Sequence, residues 1–270
     1  MNDNLRTISK KIRKDILLMG LNTGNQGSHL GGSLSLVEIM AVLYTKVLNL
    51  EGFNSENRDR VILSKGHGVM AQYAAMKENN LLDEDLLTFK QDGSKLSAHP
   101  SLLHNLPGIE FASGSLGQGL SLGVGVALGL RRKKNNKSKV YVILGDGECN
   151  EGSVWEAAMS AAHFKLDNLI VIVDKNGLQY DGKTDDVMSL GFLDKKFISF
   201  GFKALTVDGH DEEELLKALN ISHENQPIAI IANTIKGKGV SFIENDKTWH
   251  NKRLTKEQYE QAIDEVELEG

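Results

Sequence analysis

The fold is decided by residues 140–176, which read VYVILGDGECNEGSVWEAAMSAAHFKLDNLIVIVDKN. Two short apolar runs within this stretch, 140–144 and 169–173, are rich in β-branched residues and predict buried parallel strands. Between them, residues 151–164 combine strong helix formers with an apolar stripe, which predicts a helix. A strand, a helix and a second strand in this order form a βαβ unit of a parallel sheet.

Polar side chains follow both predicted strands. Asp146 stands between Gly145 and Gly147 after the first strand, and Asn176 follows the second strand. Open α/β sheets bind ligands at the carboxyl ends of their strands, and Mg²⁺ takes oxygen ligands from one or two protein side chains. Glycines and a helix N-terminus suit a nearby diphosphate. Two interpretations stay open from these residues alone, a magnesium-diphosphate cradle or an ordinary strand-turn-helix.

The rest of the chain alternates between strand and helix patterns. Strands are predicted at 60–64, 203–207 and 228–234, and helices at 5–19, 36–48, 118–134, 211–220 and from 255. This alternation predicts one doubly wound, mainly parallel α/β domain over residues 1–270, with helices on both faces of the sheet. In the helix at 118–134, each interior glycine costs roughly 1 kcal/mol relative to alanine. We therefore expect Gly119, Gly123, Gly125 and Gly129 to pack closely against a neighbour.

Composition excludes several classes of function. The chain has 40% hydrophobic and 25% charged residues, as an ordinary globular enzyme does, and its net charge of −5 offers no basic surface for nucleic acid. The most apolar region, 116–130, is too short to cross a membrane, which takes about 20 residues. The single cysteine, Cys149, excludes an internal disulfide and suits a reducing compartment, so we expect a cytoplasmic protein.

Histidines provide the second set of candidate site residues. His29, His67, His99 and His250 each stand beside glycine, proline or another turn-forming residue, which places them in loops. Loops at one edge of a sheet can converge on a site, although a single loop histidine is usually solvated surface. No pair has the close spacing of zinc ligands.

Several of these motifs together resemble one family. Residues 145–152 with Asn176 resemble the thiamine diphosphate motif, and residues 155–157 and 166–176 resemble transketolases in particular. Gly66-His67, His99-Pro100 and residues 114–119 also match transketolase motifs. His29 occupies the place of a family histidine although Leu30 replaces the usual proline, and the surroundings of His250 diverge.

The resemblance implies a set of cofactor ligands. Asp146 and Asn176 would bind Mg²⁺, or another divalent cation such as Ca²⁺ or Mn²⁺, through side-chain oxygens, and Leu178 would bind it through its carbonyl. His67 and Gly147 would contact the diphosphate of thiamine diphosphate, and the Gly114 carbonyl would hold its 4′-amino group. The remaining residues that the resemblance assigns to the cofactor are Ser115, Leu116, Gly145, Glu151 and Tyr180.

The resemblance also implies catalytic roles. His99 would hydrogen-bond the hydroxyls of the donor sugar, and His29 and His250 would stabilise the oxyanion and relay protons, which suits a group of pKa near 6.5. Glu151 would lie near a dimer interface, unless it is only a first-turn acid of its helix. Lys236 and Lys238 would either neutralise phosphate or lie in a solvated turn.

In transketolases, the glutamate that activates the cofactor belongs to a second, pyrimidine-binding domain, which this sequence lacks. The resemblance therefore implies the N-terminal subunit of a split transketolase, whose C-terminal partner chain completes the site in an α2β2 assembly. Its reaction would move a two-carbon ketol unit from a ketose, expected to be phosphorylated, to an aldose. Two alternatives stay open: an α subunit of a 2-oxo-acid dehydrogenase, and a non-catalytic scaffold subunit that kept the fold.

Overall fold

Parallel strands form the centre of the chain. The computed structural model describes residues 2–50, 55–135 and 137–268. Within these ranges the chain contains a five-stranded sheet of order β1-β2-β3-β5-β4 in which every neighbouring pair is parallel. The strands are β1 (Arg60–Leu63), β2 (Val140–Gly145), β3 (Leu169–Lys175), β4 (Lys203–Asp208) and β5 (Ile228–Asn233). The predicted α/β class is confirmed.

Helices cover both faces of this sheet. They are α1 (Asn2–Asn22), α2 (Leu30–Leu34), α3 (Val37–Val42), α4 (Val69–Glu78), α5 (Gly119–Arg132), α6 (Gly152–His163), α7 (Thr184–Met188), α8 (Leu193–Ser199), α9 (Glu212–Leu219) and α10 (Lys256–Leu268). The helix predicted at 36–48 is α-helical only to Val42, and its last turn, Leu43–Val47, is π-helical. No helix among the described residues is long and apolar enough to cross a membrane.

Alternation along the strands divides the core into two layers. In β2, Val140 and Val142 pack into a cluster with α5, α6 and α8, whereas Tyr141 and Ile143 pack into a second cluster with α1, α3, α4, α9 and α10. Because successive side chains of a strand point to opposite faces, each central strand supplies apolar residues to both clusters. This burial on both faces explains why the strands read as continuous apolar runs.

The register of the strands brings their following loops together. Gly145 of β2 pairs with Asp174 of β3, and Asp174 pairs with Ala232 of β5. The loops that begin beyond these residues carry Asp146 and Asn176. Both therefore emerge side by side at the carboxyl edge of the sheet.

The glycines of α5 have two different environments. A Cβ at Gly119 would overlap Ser64, and one at Gly123 would overlap Val142 of β2. A Cβ at Gly125 or Gly129 would meet no heavy atom within 4 Å. The expected close packing is therefore confirmed for the two glycines that face the sheet and wrong for the two that face outward.

This difference predicts opposite effects of alanine in one helix. Gly123→Ala should lower the free energy of unfolding by about 1–3 kcal/mol, because the new methyl group would overpack against Val142. Gly125→Ala, the matched control, should raise it by roughly 0.5–1 kcal/mol through helix propensity. Urea unfolding of the two variants measures both effects, and a stabilising Gly123→Ala would contradict the packing.

Candidate active site

A cavity of about 430 Å³ opens at the carboxyl edge of the sheet. The sequence-predicted site residues that line it are His29, His67, His99, Gly114, Leu116, Gly145, Asp146, Gly147, Glu151, Asn176, Leu178, Tyr180 and His250. Ser115 is not among the lining residues, and its side chain is exposed. Residues separated by more than 200 positions in sequence thus share one cavity.

Asp146 lines this cavity as a buried residue, and its carboxylate has a fixed orientation. Its Oδ1 accepts a hydrogen bond from the Gly147 amide at 2.8 Å, and its Oδ2 accepts from the Gly177 amide at 2.8 Å and from Thr184 Oγ1 at 2.9 Å. Burial, with a smaller contribution from the neighbouring Asp174, raises the pKa of Asp146. A divalent cation beside this carboxylate would offset both effects.

Asn176 and Leu178 add two further oxygens. Asn176 Nδ2 donates to Asp174 at 3.2 Å, and its Oδ1 accepts from the Leu178 amide at 3.1 Å. The Leu178 carbonyl accepts from Lys236 Nζ at 3.3 Å. A carboxylate, an amide oxygen and a backbone carbonyl are hard ligands, so this set fits Mg²⁺, Ca²⁺ or Mn²⁺.

The backbone around these ligands leaves no space for larger residues. A Cβ at Gly147 would lie 2.8 Å from Gln179 Cγ, and one at Gly32 would lie 2.9 Å from His67 Cδ2. Glycine at both positions lets the main chain pack closely against these two side chains.

Lys236 contributes a positive charge inside the cavity. Its side chain is buried, and Nζ lies 3.4 Å from His250 Nδ1. Burial, and then repulsion by Lys65, lowers the pKa of Lys236 to about 8. The solvated-turn alternative is therefore wrong for Lys236, whereas Lys238 is half-buried and forms an ion pair with Glu244 at 3.5 Å.

A buried ion pair under the cavity was not anticipated from the sequence. Lys65 Nζ donates to Asp174 and to the Gly32 carbonyl, the latter at 2.9 Å. Asp174 also accepts from the hydroxyls of Ser35 and Thr234. Burial alone would raise the pKa of Asp174, but Lys65 and these donors hold it below its usual value. The available signal was a charged residue directly after each of two predicted strands, Lys65 after 60–64 and Asp174 after 169–173.

Glu148 is a second site residue that sequence reasoning missed. Its buried carboxylate accepts from the amides of Gly117 at 2.8 Å and Gly145 at 3.0 Å and from the Ser64 hydroxyl. Burial raises its pKa. Glu148 therefore joins three loops of the cavity, whereas Glu151, the glutamate singled out from the sequence, is an exposed residue at the N-terminus of α6.

The loop histidines form a cluster in this cavity. The ring of His29 lies 5.7 Å from that of His67, 5.5 Å from that of His99 and 5.3 Å from that of His250, centroid to centroid. Burial lowers the pKa of all four rings, and it is the largest cause in each. The pKa values of His29 and His250 fall to about 4, so both rings are neutral at neutral pH.

Comparisons with known proteins identify the family of this chain. Residues 8–268 match the family model described as transketolase, thiamine diphosphate binding domain. One subunit of the apulose-4-phosphate transketolase of Actinobacillus succinogenes is 42% identical over 271 residues, which cover 99% of this chain and 97% of that protein. The 6-deoxy-6-sulfo-D-fructose transketolase subunit SqwG of Clostridium sp. (strain MSTE9) is 40% identical over 90% of this chain and 89% of that protein.

Solved transketolase structures share the fold of this chain. The transketolase of Campylobacter jejuni superposes with a TM-score of 0.88 at 30% identity, over 97% of this chain and 42% of that one. The Leishmania mexicana enzyme gives 0.87 at 31% identity, over 97% of this chain and 41% of that one. The chain thus spans about two fifths of these transketolases, and it belongs to the transketolase family through the thiamine diphosphate-binding domain.

Proposed function

We propose that this chain is the N-terminal subunit of a split transketolase, which transfers a two-carbon ketol unit from a ketose to an aldose. The observation that carries the proposal is one cavity that is lined both by the candidate oxygen ligands Asp146, Asn176 and Leu178 and by the four histidines. The split arrangement is supported by similarity to relatives that are themselves named as single transketolase subunits, over almost their whole length.

Asp146, Asn176 and the Leu178 carbonyl would hold the divalent cation, with Mg²⁺ as the expected ion. His67, Gly147 and Lys236 would hold the diphosphate, and the Gly114 carbonyl would hold the aminopyrimidine. Leu116 and Tyr180, which line the cavity wall, would contact the rest of the cofactor. Bound thiamine diphosphate supplies the carbanion chemistry that breaks and forms the carbon–carbon bond.

The histidines would handle protons and hydroxyls of the sugar. A neutral imidazole accepts a proton at one nitrogen and donates from the other, so His29 and His250 can take a proton from a sugar hydroxyl and return it. The same rings can donate hydrogen bonds to an oxyanion. His99, whose ring lies 5.5 Å from that of His29, would bind the donor hydroxyls.

A partner chain would complete the site. Tyr180 and Leu116 line the cavity yet remain 69% and 37% exposed, so the cavity wall presents uncovered apolar surface. We propose that a C-terminal subunit covers this surface with its pyrimidine-binding domain and supplies the activating glutamate, with two copies of each chain in the assembly. Glu151, which is exposed at the cavity wall, would lie near that interface.

The donor substrate would be a ketose with an anionic terminal group. The relatives described above are named for apulose-4-phosphate and for 6-deoxy-6-sulfo-D-fructose, which carry a phosphate and a sulfonate respectively. We propose that the partner chain holds most of the pocket for this group. Assays of the assembled enzyme with phosphorylated and with sulfonated ketoses show which anionic group the donor carries. Release of CO₂ from a 2-oxo acid would instead support the alternative of a 2-oxo-acid dehydrogenase subunit.

Activity is expected to depend on the partner. The purified chain should catalyse no ketol transfer alone, and addition of the C-terminal subunit with thiamine diphosphate and Mg²⁺ should restore it, because the activating glutamate comes from that partner. A coupled assay of aldose formation measures the transfer. Robust activity of the chain alone would contradict the split site, and an inactive, cofactor-free complex would support a scaffold role.

The cation ligands predict a second result. Asp146→Ala or Asn176→Ala should weaken Mg²⁺-dependent binding of thiamine diphosphate by about tenfold or more, because each change removes an oxygen from the ligand set. Calorimetric titration of the assembled enzyme measures the affinity. Asp264→Ala, on the exposed side of α10, is the control and should leave the affinity unchanged. Normal affinity in both site variants would reject these ligand assignments.

The neutral histidines predict a pH dependence of stability. Folding lowers the pKa of His29 from 6.5 to about 4, so between these pH values the unfolded chain binds a proton that the folded chain does not. The free energy of unfolding should therefore fall as the pH falls through this window. Urea unfolding at several pH values gives the free energy of unfolding as a function of pH. For His29→Asn this curve should be shallower than for the wild type, because the variant takes up roughly one proton fewer on unfolding. Identical slopes would contradict a buried neutral His29.

A further inference from the structure

The loop that carries Lys236 is held from outside the cavity at two points. The Ile235 amide, just before Lys236, donates to His210 Nε2 at 2.8 Å. The Lys238 carbonyl, two residues after Lys236, accepts from Arg13 Nε at 3.1 Å. The backbone on each side of Lys236 is therefore fixed by a side chain from a different part of the chain.

Glu38 connects the two holding side chains. Its Oε2 lies 2.8 Å from His210 Nδ1, and its Oε1 accepts from Arg13 Nη2 at 2.5 Å. Burial opposes ionisation, but Arg13 and His210 hold the pKa of Glu38 at about 2, so it is an anion. Because His210 Nε2 accepts from an amide, its proton is on Nδ1 and points to Glu38. The three side chains thus form one connected clamp, Arg13-Glu38-His210.

The clamp acts on the candidate active site only through the backbone. Its three residues line a separate cavity of about 590 Å³. None of them lines the cavity of the candidate active site. Between its two attachment points, Lys236 reaches into the site, and the Gly237 amide donates to the Gly31 carbonyl at 2.9 Å. Gly31 lies in α2, which begins directly after His29, so the clamped loop also contacts the segment that presents this histidine.

We propose that His210, oriented by Glu38 and Arg13, is a positioning residue that sets the Lys236 loop for the cofactor diphosphate. The identity of the ligand rests on the proposed function. The positioning of the Lys236 loop by His210 rests on the clamp geometry. A merely structural role would lower stability without a specific effect on this loop.

Three variants separate positioning from general stability. His210→Phe keeps a ring of similar size and removes both hydrogen-bonding nitrogens, whereas His210→Gln retains a side-chain oxygen that can accept from the Ile235 amide. The matched control is His223→Phe. His223 is also buried, and its Nδ1 lies 3.0 Å from the Gln226 carbonyl. It precedes β5 in sequence, so it lies at the amino ends of the strands, away from the candidate active site at their carboxyl ends.

Amide hydrogen exchange of the cofactor-free chain tests the clamp directly. In His210→Phe, the amides of residues 235–239 should exchange about tenfold faster than in the wild type, because the loop opens locally. His210→Gln should restore most of the protection, and His223→Phe should leave these amides unchanged at a comparable loss of thermal stability. Wild-type exchange in His210→Phe would overturn the inference.

Cofactor affinity of the assembled enzyme gives the second measurement. His210→Phe should weaken binding of thiamine diphosphate with Mg²⁺ by about tenfold, the low end of the loss on removal of an outer-shell partner. An equal loss in His223→Phe would overturn the positioning role. If the wild-type complex binds no thiamine diphosphate, the proposed function fails, and the exchange measurement alone then decides whether His210 sets the loop.

Discussion

The buried ion pair between Lys65 and Asp174 is the interaction on which the rest of the site depends. Removing one member of such a pair costs about 3–5 kcal/mol, because the other charge is left buried without a partner. Hydrogen bonds with Ser35, Thr234 and the Gly32 carbonyl stabilise the two buried charges and offset the cost of removing them from water. Lys65 follows β1, and Asp174 lies near the end of β3. Thr234 follows β5, and Gly32 and Ser35 lie in or directly after α2, so one electrostatic requirement fixes these segments relative to each other.

The positive charges of Lys65 and Lys236 add to the effect of burial on the histidines. After burial, Lys65 is the next cause that lowers the pKa of His67, and Lys236 has this role for His250. Cations that would attract a diphosphate therefore also keep the nearby rings neutral and able to accept protons. Under the proposed function, anion binding and proton transfer would in this way both depend on one charge distribution.

The sequence predicted the fold and part of the site because both depend on local patterns. Apolar runs predicted the strands, and polar residues directly after them made Asp146 and Asn176 candidates, which the family resemblance then assigned to the metal. Lys65, Glu148 and His210 were missed because their partners lie 109, 84 and 25 residues away and no local pattern encodes them. The prediction of close packing was wrong for the outward-facing glycines of α5 for a related reason. The composition of a helix does not reveal which of its faces meets the sheet.

The attachment of Arg13 to the Lys238 carbonyl has a consequence for the order of assembly. The two residues are 225 positions apart, and a contact of such separation forms late because the intervening chain must first be ordered. During synthesis, Arg13 leaves the ribosome long before the loop that it holds has been translated. A nascent chain can therefore pair β1, β2 and β3 before the Lys236 loop exists for Arg13 to hold.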